Sequence, residues 1–309
     1  MKIITVTLNP AFDIHCFAEH FQPFSENLAV ITARTAGGKG VNISRALAAN
    51  SVENTALVVL GEENAADFRK SLSAYGMQIE EILVKGRIRE NITLHTDNAP
   101  ETRISFAGFT ADGDLLGRVR AVLEGRLDGD TVLTLTGRLP DGMALAPVKE
   151  MLIGMREAGV KTVIDSKSFR IEDLIECRPF LIKPNGEEIV AYIHHKVDSL
   201  EEAAAAAESL RARGIENVMI SLGDKGAALA SAEGCFIAEA PRIDALSTIG
   251  AGDSAIGGFL AAVQQGASAS DRLKSAVCYG SAACMTEGTE PPLAEDVAAL
   301  LTRVQAKRI

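Results

Sequence analysis

In the stretch STIGAGDSAIGGF, residues 247–259, a single carboxylate, Asp253, stands among residues too small to cover it. Gly250 and Gly252 bracket Ala251, and Asp253 falls at or just before the first turn of a helix whose apolar spacing runs through Ala255, Ile256, Phe259 and Leu260. Two chemistries fit this arrangement. As an N-cap, Asp253 would accept a backbone N–H and stabilise the helix by about 1 kcal/mol. As a general base, it would take a proton from a bound hydroxyl, while the amides of Ala251, Gly252 and Asp253 surround developing negative charge. Gly257 and Gly258 weigh toward the second reading, because glycine inside a helix costs about 1 kcal/mol relative to alanine. The expectation is that close approach of the backbone to a ligand offsets that cost.

Two further glycine loops carry charge. In TAGGKGVNISRAL, residues 35–47, Gly37, Gly38 and Gly40 surround Lys39 ahead of a helix whose apolar face holds Val41, Ile43, Ala46 and Leu47. A helix N-terminus beside an ammonium can hold an anion, and a tight turn uses the same glycines. The run is not a Walker loop, which needs GxxxxGK followed by Ser or Thr. SLGDKGA, residues 221–227, follows the strand-like NVMI and reads as a hairpin around Gly223 and Gly226. Its amides either face a polyanion or only turn the chain.

The elements that must position these loops alternate. Short β-branched runs (ITVTL, TALVVLG, TVLTLTG, KTVIDS, FLIKPN, NVMISLG) are separated by segments of helical spacing such as AADFRKSLSAYG, MALAPVKEMLIGMREAG and SLEEAAAAAESLRARG. This is the rhythm of βαβ units around a mostly parallel sheet, an α/β fold that binds ligands at the carboxyl ends of its strands. The alanine tract 203–207 reads as strong helix former on a surface helix. Residues 10–36 and 88–109 break the rhythm with strands that lack an intervening helix, and Asp97-Asn98-Ala99-Pro100 reads as a turn between two of them. These segments form either a small β-layer over the sheet edge or an ordinary antiparallel extension. No linker or repeat divides the chain, so 1–309 is expected to be a single domain.

Composition narrows the partners. The chain has 309 residues, 47% of them hydrophobic, and a formal net charge of −10, which argues against general nucleic-acid binding. No segment approaches the roughly 20 apolar residues of a membrane span. The opening MKIITVTL reads as a strand without the regions of a signal peptide, so the expected location is cytoplasmic. Cys16, Cys177, Cys235, Cys278 and Cys284 form no CxxC pair and suit reduced thiols. His194 and His195 have no third ligand near them in sequence and read as solvated or core residues rather than a metal site. A dinucleotide oxidoreductase would need GxGxxG after the first strand, where the chain instead has LNPAFD.

Taken together and in order, TVTLNPAFD (5–13), GGKGVNISRAL (37–47), LIKPNGEE (181–188), SLGDKGA (221–227) and IGAGDSAIGGFL (249–260) resemble the PfkB, or ribokinase-like, family of carbohydrate kinases. Within it they resemble the sugar-phosphate kinase branch that includes 1-phosphofructokinase and tagatose-6-phosphate kinase, over nearly the whole chain. The resemblance implies a three-layer sandwich with a mostly parallel central sheet and a small β-lid. It also implies ATP and Mg2+ as cofactors, and a homodimer through the lid. By resemblance, Asp253 is the base and Gly250, Ala251 and Gly252 supply the anion hole. Asp13, Gly38, Lys39 and Asn42 would hold the sugar, and Arg89 and Arg103 its phosphate. Lys183, Asn185, Ser221, Gly223 and Gly226 would face the nucleotide, while Asn185 and Glu188 organise magnesium through water.

The activity so implied is phosphorylation of a ketohexose monophosphate. Fructose 1-phosphate is the first candidate, with tagatose 6-phosphate, fructose 6-phosphate and a non-catalytic sugar-phosphate sensor as alternatives. Two positions depart from the family pattern. Arg138 stands where relatives read GSLP, and Asp165-Ser166-Lys167-Ser168 stands where they read DxSG. Both bear on substrate identity more than on the reaction.

Overall fold

The computed structural model describes residues 1–98 and 100–309; Ala99, within the turn expected at 97–100, lies outside the described residues. The chain enters through β1 (Lys2–Thr7), β2 (Ala11–Ala18) and β3 (Val30–Gly37). It continues through β4 (Thr55–Gly61), β5 (Gln78–Val84), β6 (Arg89–Thr96) and β7 (Thr102–Ser105). The second half adds β8 (Thr131–Thr136), β9 (Lys161–Asp165), β10 (Leu181–Ile182) and β11 (Asn217–Ser221). It ends with β12 (Ala227–Ser231), β13 (Gly234–Ala238) and β14 (Ala306–Arg308). Among the described residues, ten strands form one sheet in the order β14-β13-β12-β11-β10-β9-β8-β1-β4-β5. From β5 to β11 every neighbouring pair is parallel, and β12, β13 and β14 add an antiparallel edge.

Alternation along the strands explains the layers. Ile4, Val6, Leu133 and Leu135 pack with Val119, Leu152, Leu174 and Ala207 of the helices Leu115–Glu124, Leu145–Glu157, Ile171–Cys177 and Leu200–Arg211. Their sequence neighbours Ile3 and Val132 face the other way, onto Ile43, Leu47, Phe259, Leu273 and Leu300 of the helices Lys39–Ala49, Ala251–Gln264, Ala269–Cys284 and Ala294–Leu301. A strand apolar on both faces is stable only when both are covered, and this one is. The result is an α/β sandwich of three layers.

The alanine tract departs from its surface reading. Ala203, Ala204, Ala206 and Ala207 are buried, packed in the same core as Ala228 and Ala230 of β12. Methyl side chains on both elements let the helix lie close to the antiparallel edge. Helix propensity is therefore the lesser part of what the tract supplies.

The two segments that broke the rhythm form a second sheet in the order β3-β2-β6-β7. Here β2 pairs parallel with β6 and antiparallel with β3, and β6 pairs antiparallel with β7. Phe12, Ile14 and Cys16 turn toward Phe68, Leu72 and Val58 in a separate apolar cluster. With a period of two, Asp13 and His15 face the opposite way. Among the described residues, no helix is long and apolar enough to cross a membrane. Cys16, Cys177 and Cys278 are buried and all five thiols are free, while His194 and His195 are exposed at the end of a short helical turn.

Candidate active site

The loops after β1, β8, β9, β10 and β11 all leave the same edge of the parallel sheet, where two helix N-termini also arrive. The first of these helices begins after Gly38 (φ 117°) and the second after Gly250 (φ 81°), and no side chain caps either one. Their leading amides therefore stay available to an anion. The helix of the second loop starts at Ala251, so Asp253 is its third residue rather than its cap.

The Asp253 carboxylate has a different partner: its Oδ2 accepts from Asn42 Nδ2 at 2.8 Å. The side chain is buried, with 8% exposure, and burial pushes its pKa up to about 6 against the pull of Lys39, Asn42 and Lys183. The nearby Asp165 carboxylate adds to the rise. Lys39 reaches Asp165 Oδ2 at 3.0 Å. Burial alone would lower the ammonium's pKa, but Asp165 and then Asp253 outweigh it and the net shift is upward. The lysine stays charged.

Clearance among the small residues divides by position. A Cβ on Gly252 would come within 3.0 Å of Lys183 Nζ, so the Gly252 backbone and that ammonium face each other, while one on Gly250 would meet open space among the described residues. Gly257 and Gly258 answer to protein instead of ligand. A Cβ on Gly258 would sit 2.6 Å from the Ser275 carbonyl and 2.7 Å from the Tyr279 ring, and one on Gly257 would touch Ala46 at 3.4 Å. Two helices pass there, which corrects the expectation that these glycines make room for a bound group. Gly40 is equally structural, since a Cβ there would lie 2.4 Å from Thr7 Oγ1.

The small sheet brings its polar face to this edge. Asp13 Oδ1 accepts from Asn91 Nδ2 at 3.0 Å, and Arg89 donates to Asn91 Oδ1 at 3.3 Å. Burial raises the Asp13 pKa, with Asn91 and Arg89 opposing the rise. Gly37 lies between Asp13 and Asn42: a Cβ there would fall 2.4 Å from Asp13 Oδ2 and 3.6 Å from Asn42 Oδ1. Asp13, Asn42 and Asp253 thus follow one another in one polar cluster. Asn42 Oδ1, Asn9 Oδ1 and Arg89 Nε are buried without a hydrogen-bond partner among the described residues. Buried polar atoms left this way are expensive unless a ligand meets them.

Arg103 is not brought to this cluster. Register pairs it with Thr93, itself opposite His15, whereas Asn91 opposite Asp13 pairs with Ser105. Arg103 instead donates from Nε to Glu101 at 2.6 Å, beside the His15–His95 pair, whose ring nitrogens lie 3.0 Å apart.

At the other end, Asn185 and Glu188 hold each other. Asn185 Oδ1 accepts from the amides of Glu187 (3.0 Å) and Glu188 (2.8 Å), and Glu188 Oε2 accepts from the Asn185 amide at 3.2 Å. The Asn185 oxygen is thereby occupied, so this residue orients the turn, and Glu188 keeps an oxygen free of hydrogen bonds beside Asp165 and Lys183 in a small cavity. Lys167, 79% exposed, stands 3.9 Å from that oxygen. Ser221 bridges to Asn185. A Cβ on Gly223 (φ 59°) would meet open space, but one on Gly226 (φ 116°) would meet the Ala238 carbonyl at 2.0 Å, so strand crossing and backbone conformation both demand that glycine.

Asp165, Asn91 and Asn9 also lie among these residues, although the motif reading gave them no role. Their signals were present, with Asp165 ending the strand KTVID and Asn91 two residues beyond Arg89 on one strand face.

The 1-phosphofructokinase of Haemophilus influenzae is 31% identical over 282 residues, covering 91% of this chain and 90% of that protein. The 1-phosphofructokinase of Escherichia coli K12 is 29% identical over 306 residues, 98% of this chain and 97% of that one. Among solved structures, phosphofructokinase-2 from Escherichia coli in complex with substrates and products superposes with a TM-score of 0.92 at 23% identity, over 98% of this chain and 99% of that chain. The model of the pfkB family of carbohydrate kinases matches residues 9–296, a span that takes in every loop described above, and the chain belongs to that family.

Proposed function

We propose that this protein phosphorylates a ketohexose monophosphate with ATP, converting fructose 1-phosphate to fructose 1,6-bisphosphate in the cytoplasm, where ATP is available. The observation that carries the reading is the polar cluster of Asp13, Asn42 and Asp253, with the Asp253 pKa near 6 and two lysines beside it. At neutral pH Asp253 is ionised and ready to accept a proton. Asp13 accepts hydrogen bonds from sugar hydroxyls, as an anchored carboxylate can. Asn42 Oδ1 faces the same sugar, and Asn42 Nδ2 fixes the base.

In the reaction, the acceptor hydroxyl gives its proton to Asp253 as its oxygen bonds to the γ-phosphorus, and the β–γ bridging oxygen leaves with ADP. The amides of Ala251, Gly252 and Asp253, with Lys183 over Gly252, meet the charge on the transferring group. Lys39, held by Asp165, adds a fixed positive charge from the sugar side.

The donor set also suits magnesium, which binds through one or two carboxylates and keeps several waters. Glu188 and Asp165 would hold it, Asn185 setting the turn. When bound, magnesium neutralises charge on the β- and γ-phosphates.

The small sheet covers the sugar end as a lid. Its surface also supports a homodimer: Val30, Ile31, Ile104 and Phe106 are exposed on or beside it, with Phe24 and Leu28 in the β2–β3 connection. An apolar patch of this kind ordinarily meets a partner. Light scattering at working concentration is expected to give a dimer, and Ile31→Glu a monomer; a monomeric wild type would end this reading.

The reaction itself is tested by coupled ADP release with fructose 1-phosphate, fructose 6-phosphate and tagatose 6-phosphate. Fructose 1-phosphate is expected to give the largest kcat/KM. Preference for another of the three would move the assignment within the family, and turnover of none would leave a sugar-phosphate sensor.

A further inference from the structure

We propose that Arg138 is a second guanidinium for the phosphate that the sugar already carries, closing on it opposite Arg89, so that acceptance of a phosphorylated rather than a free sugar rests on this pair. The inference depends on the sugar-phosphate reading above and adds a residue that determines specificity.

The backbone around Arg138 is pinned to the site on both sides. Gly137 N donates to the Asp165 carbonyl at 3.0 Å, Leu139 N donates to Ser168 Oγ at 3.1 Å, and the Leu139 carbonyl accepts from Asn9 Nδ2 at 3.4 Å. A Cβ on Gly137 would approach Lys39 Cβ at 4.0 Å. The loop therefore lies against the residues that hold the sugar.

Asn9 links this loop to Arg89. Position 108 is where they meet, since a Cβ on Gly108 would lie 3.2 Å from Arg89 Cβ and 3.5 Å from Asn9 Oδ1. Arg138 is also near enough to add to the lowering of the Arg89 pKa that burial begins. Two like charges close enough to repel, with Arg89 Nε buried and without a hydrogen-bond partner among the described residues, call for an anion near both.

The Arg138 side chain itself is free to move. It is 70% exposed and, among the described residues, its one ion pair is with Asp141 at 3.3 Å, three residues on. An exposed pair of this kind is weak, whereas a dianionic phosphate offers two charge-assisted bonds in the geometry a guanidinium presents. A stiff loop with a loosely held arginine suits a contact that forms when substrate arrives.

Steady-state kinetics of Arg138→Ala and Arg138→Lys provide the test. For Arg138→Ala, KM for the sugar phosphate is expected to rise about 10- to 100-fold, the effect of losing hydrogen bonds to a charged group. The KM for ATP and kcat should stay within about twofold, and Arg138→Lys should recover part of the loss. Added salt should weaken sugar-phosphate binding more steeply in wild type than in Arg138→Ala. An unchanged KM for the sugar phosphate overturns the proposal, as does a loss of every parameter together with thermal stability.

Should the wild type turn over no sugar phosphate, the reading of the reaction fails, and titration with inorganic phosphate decides about Arg138 by itself. Binding by wild type that Arg138→Ala abolishes supports the anion contact. Equal binding by the two, or none by either, overturns it.

Discussion

Asp253→Asn is expected to lower kcat by a factor of about 10^2 to 10^4, the range that a positioned general base contributes, while ATP and the sugar phosphate still bind. The pH profile should change in kind as well as in height. The wild-type kcat/KM should fall about tenfold per pH unit below pH 6, because the carboxyl, raised to about 6, becomes protonated there. The variant has no such group and its residual rate should be flat through that region. A variant that retained more than a few per cent of the wild-type rate would remove Asp253 from the role of base.

Stability gives the same substitution a second readout with the opposite sign. The Asp253 pKa stands near 6 in the folded protein against 3.8 for an ordinary aspartate, so between those values the folded state holds the proton more firmly than the unfolded state does. Folding stability therefore falls as pH rises from 3.8 to 6, and above 6 the full penalty is present, up to about 3 kcal/mol. Asparagine carries no charge to bury and avoids that penalty. Denaturant unfolding should show Asp253→Asn more stable than wild type at pH 7, by about 1–3 kcal/mol, the pull of Lys39 and Lys183 being already contained in the raised value, with the difference closing toward pH 4. A helix cap would instead show little change, since asparagine caps a helix about as well as aspartate. The functional acid is held at a cost in stability.

How far this site was legible depends on whether a residue's role was local. The strand rhythm disclosed the doubly covered parallel sheet because burial on both faces writes an apolar residue at nearly every position, as in TALVVLG of β4. The glycine loops announced the strand ends for a similar reason. Asp253 was ambiguous because a cap and a base differ by a shift of three residues along one turn, and only the helix start at Ala251 and the contact with Asn42, 211 residues away in sequence, separate them. Gly257 and Gly258 announced a close approach but not its object. That object is the neighbouring helices, which no spacing within the segment encodes.

Arg103 shows the same limit in a sheet. Period two puts it on the face that holds Asp13, but the pairing register sets how far along that face it lies, and register is fixed by strands far apart in the chain. Asn185 differs again. Its place in the NxxE turn was readable, while the occupation of its oxygen by two amides of that turn depends on local backbone geometry.

The two glycines of SLGDKGA separate ligand contact from folding, and their alanine variants should diverge. At Gly226 the backbone sits at φ 116°, and an added Cβ would fall 2.0 Å from the Ala238 carbonyl and 2.8 Å from the Ala240 nitrogen. Both are main-chain atoms of the passing strand end, so neither can swing aside. Strain at positive φ of about 1–2 kcal/mol and overpacking of about 1–3 kcal/mol both apply. Gly226→Ala should therefore lose about 3 kcal/mol or more, or roughly 5–10 °C in Tm.

Gly223 has its own positive φ of 59° but nothing within 4 Å. Gly223→Ala should cost about 1–2 kcal/mol from the backbone alone and leave the fold intact. Because the open space beside it is where the nucleotide is expected, its larger effect should be a raised KM for ATP. Thermal unfolding and nucleotide titration on both variants decide the matter. If Gly226→Ala folds with wild-type stability and loses only ATP affinity, the strand crossing is not what requires that glycine; if Gly223→Ala binds ATP as wild type does, the open side of the turn does not face the nucleotide.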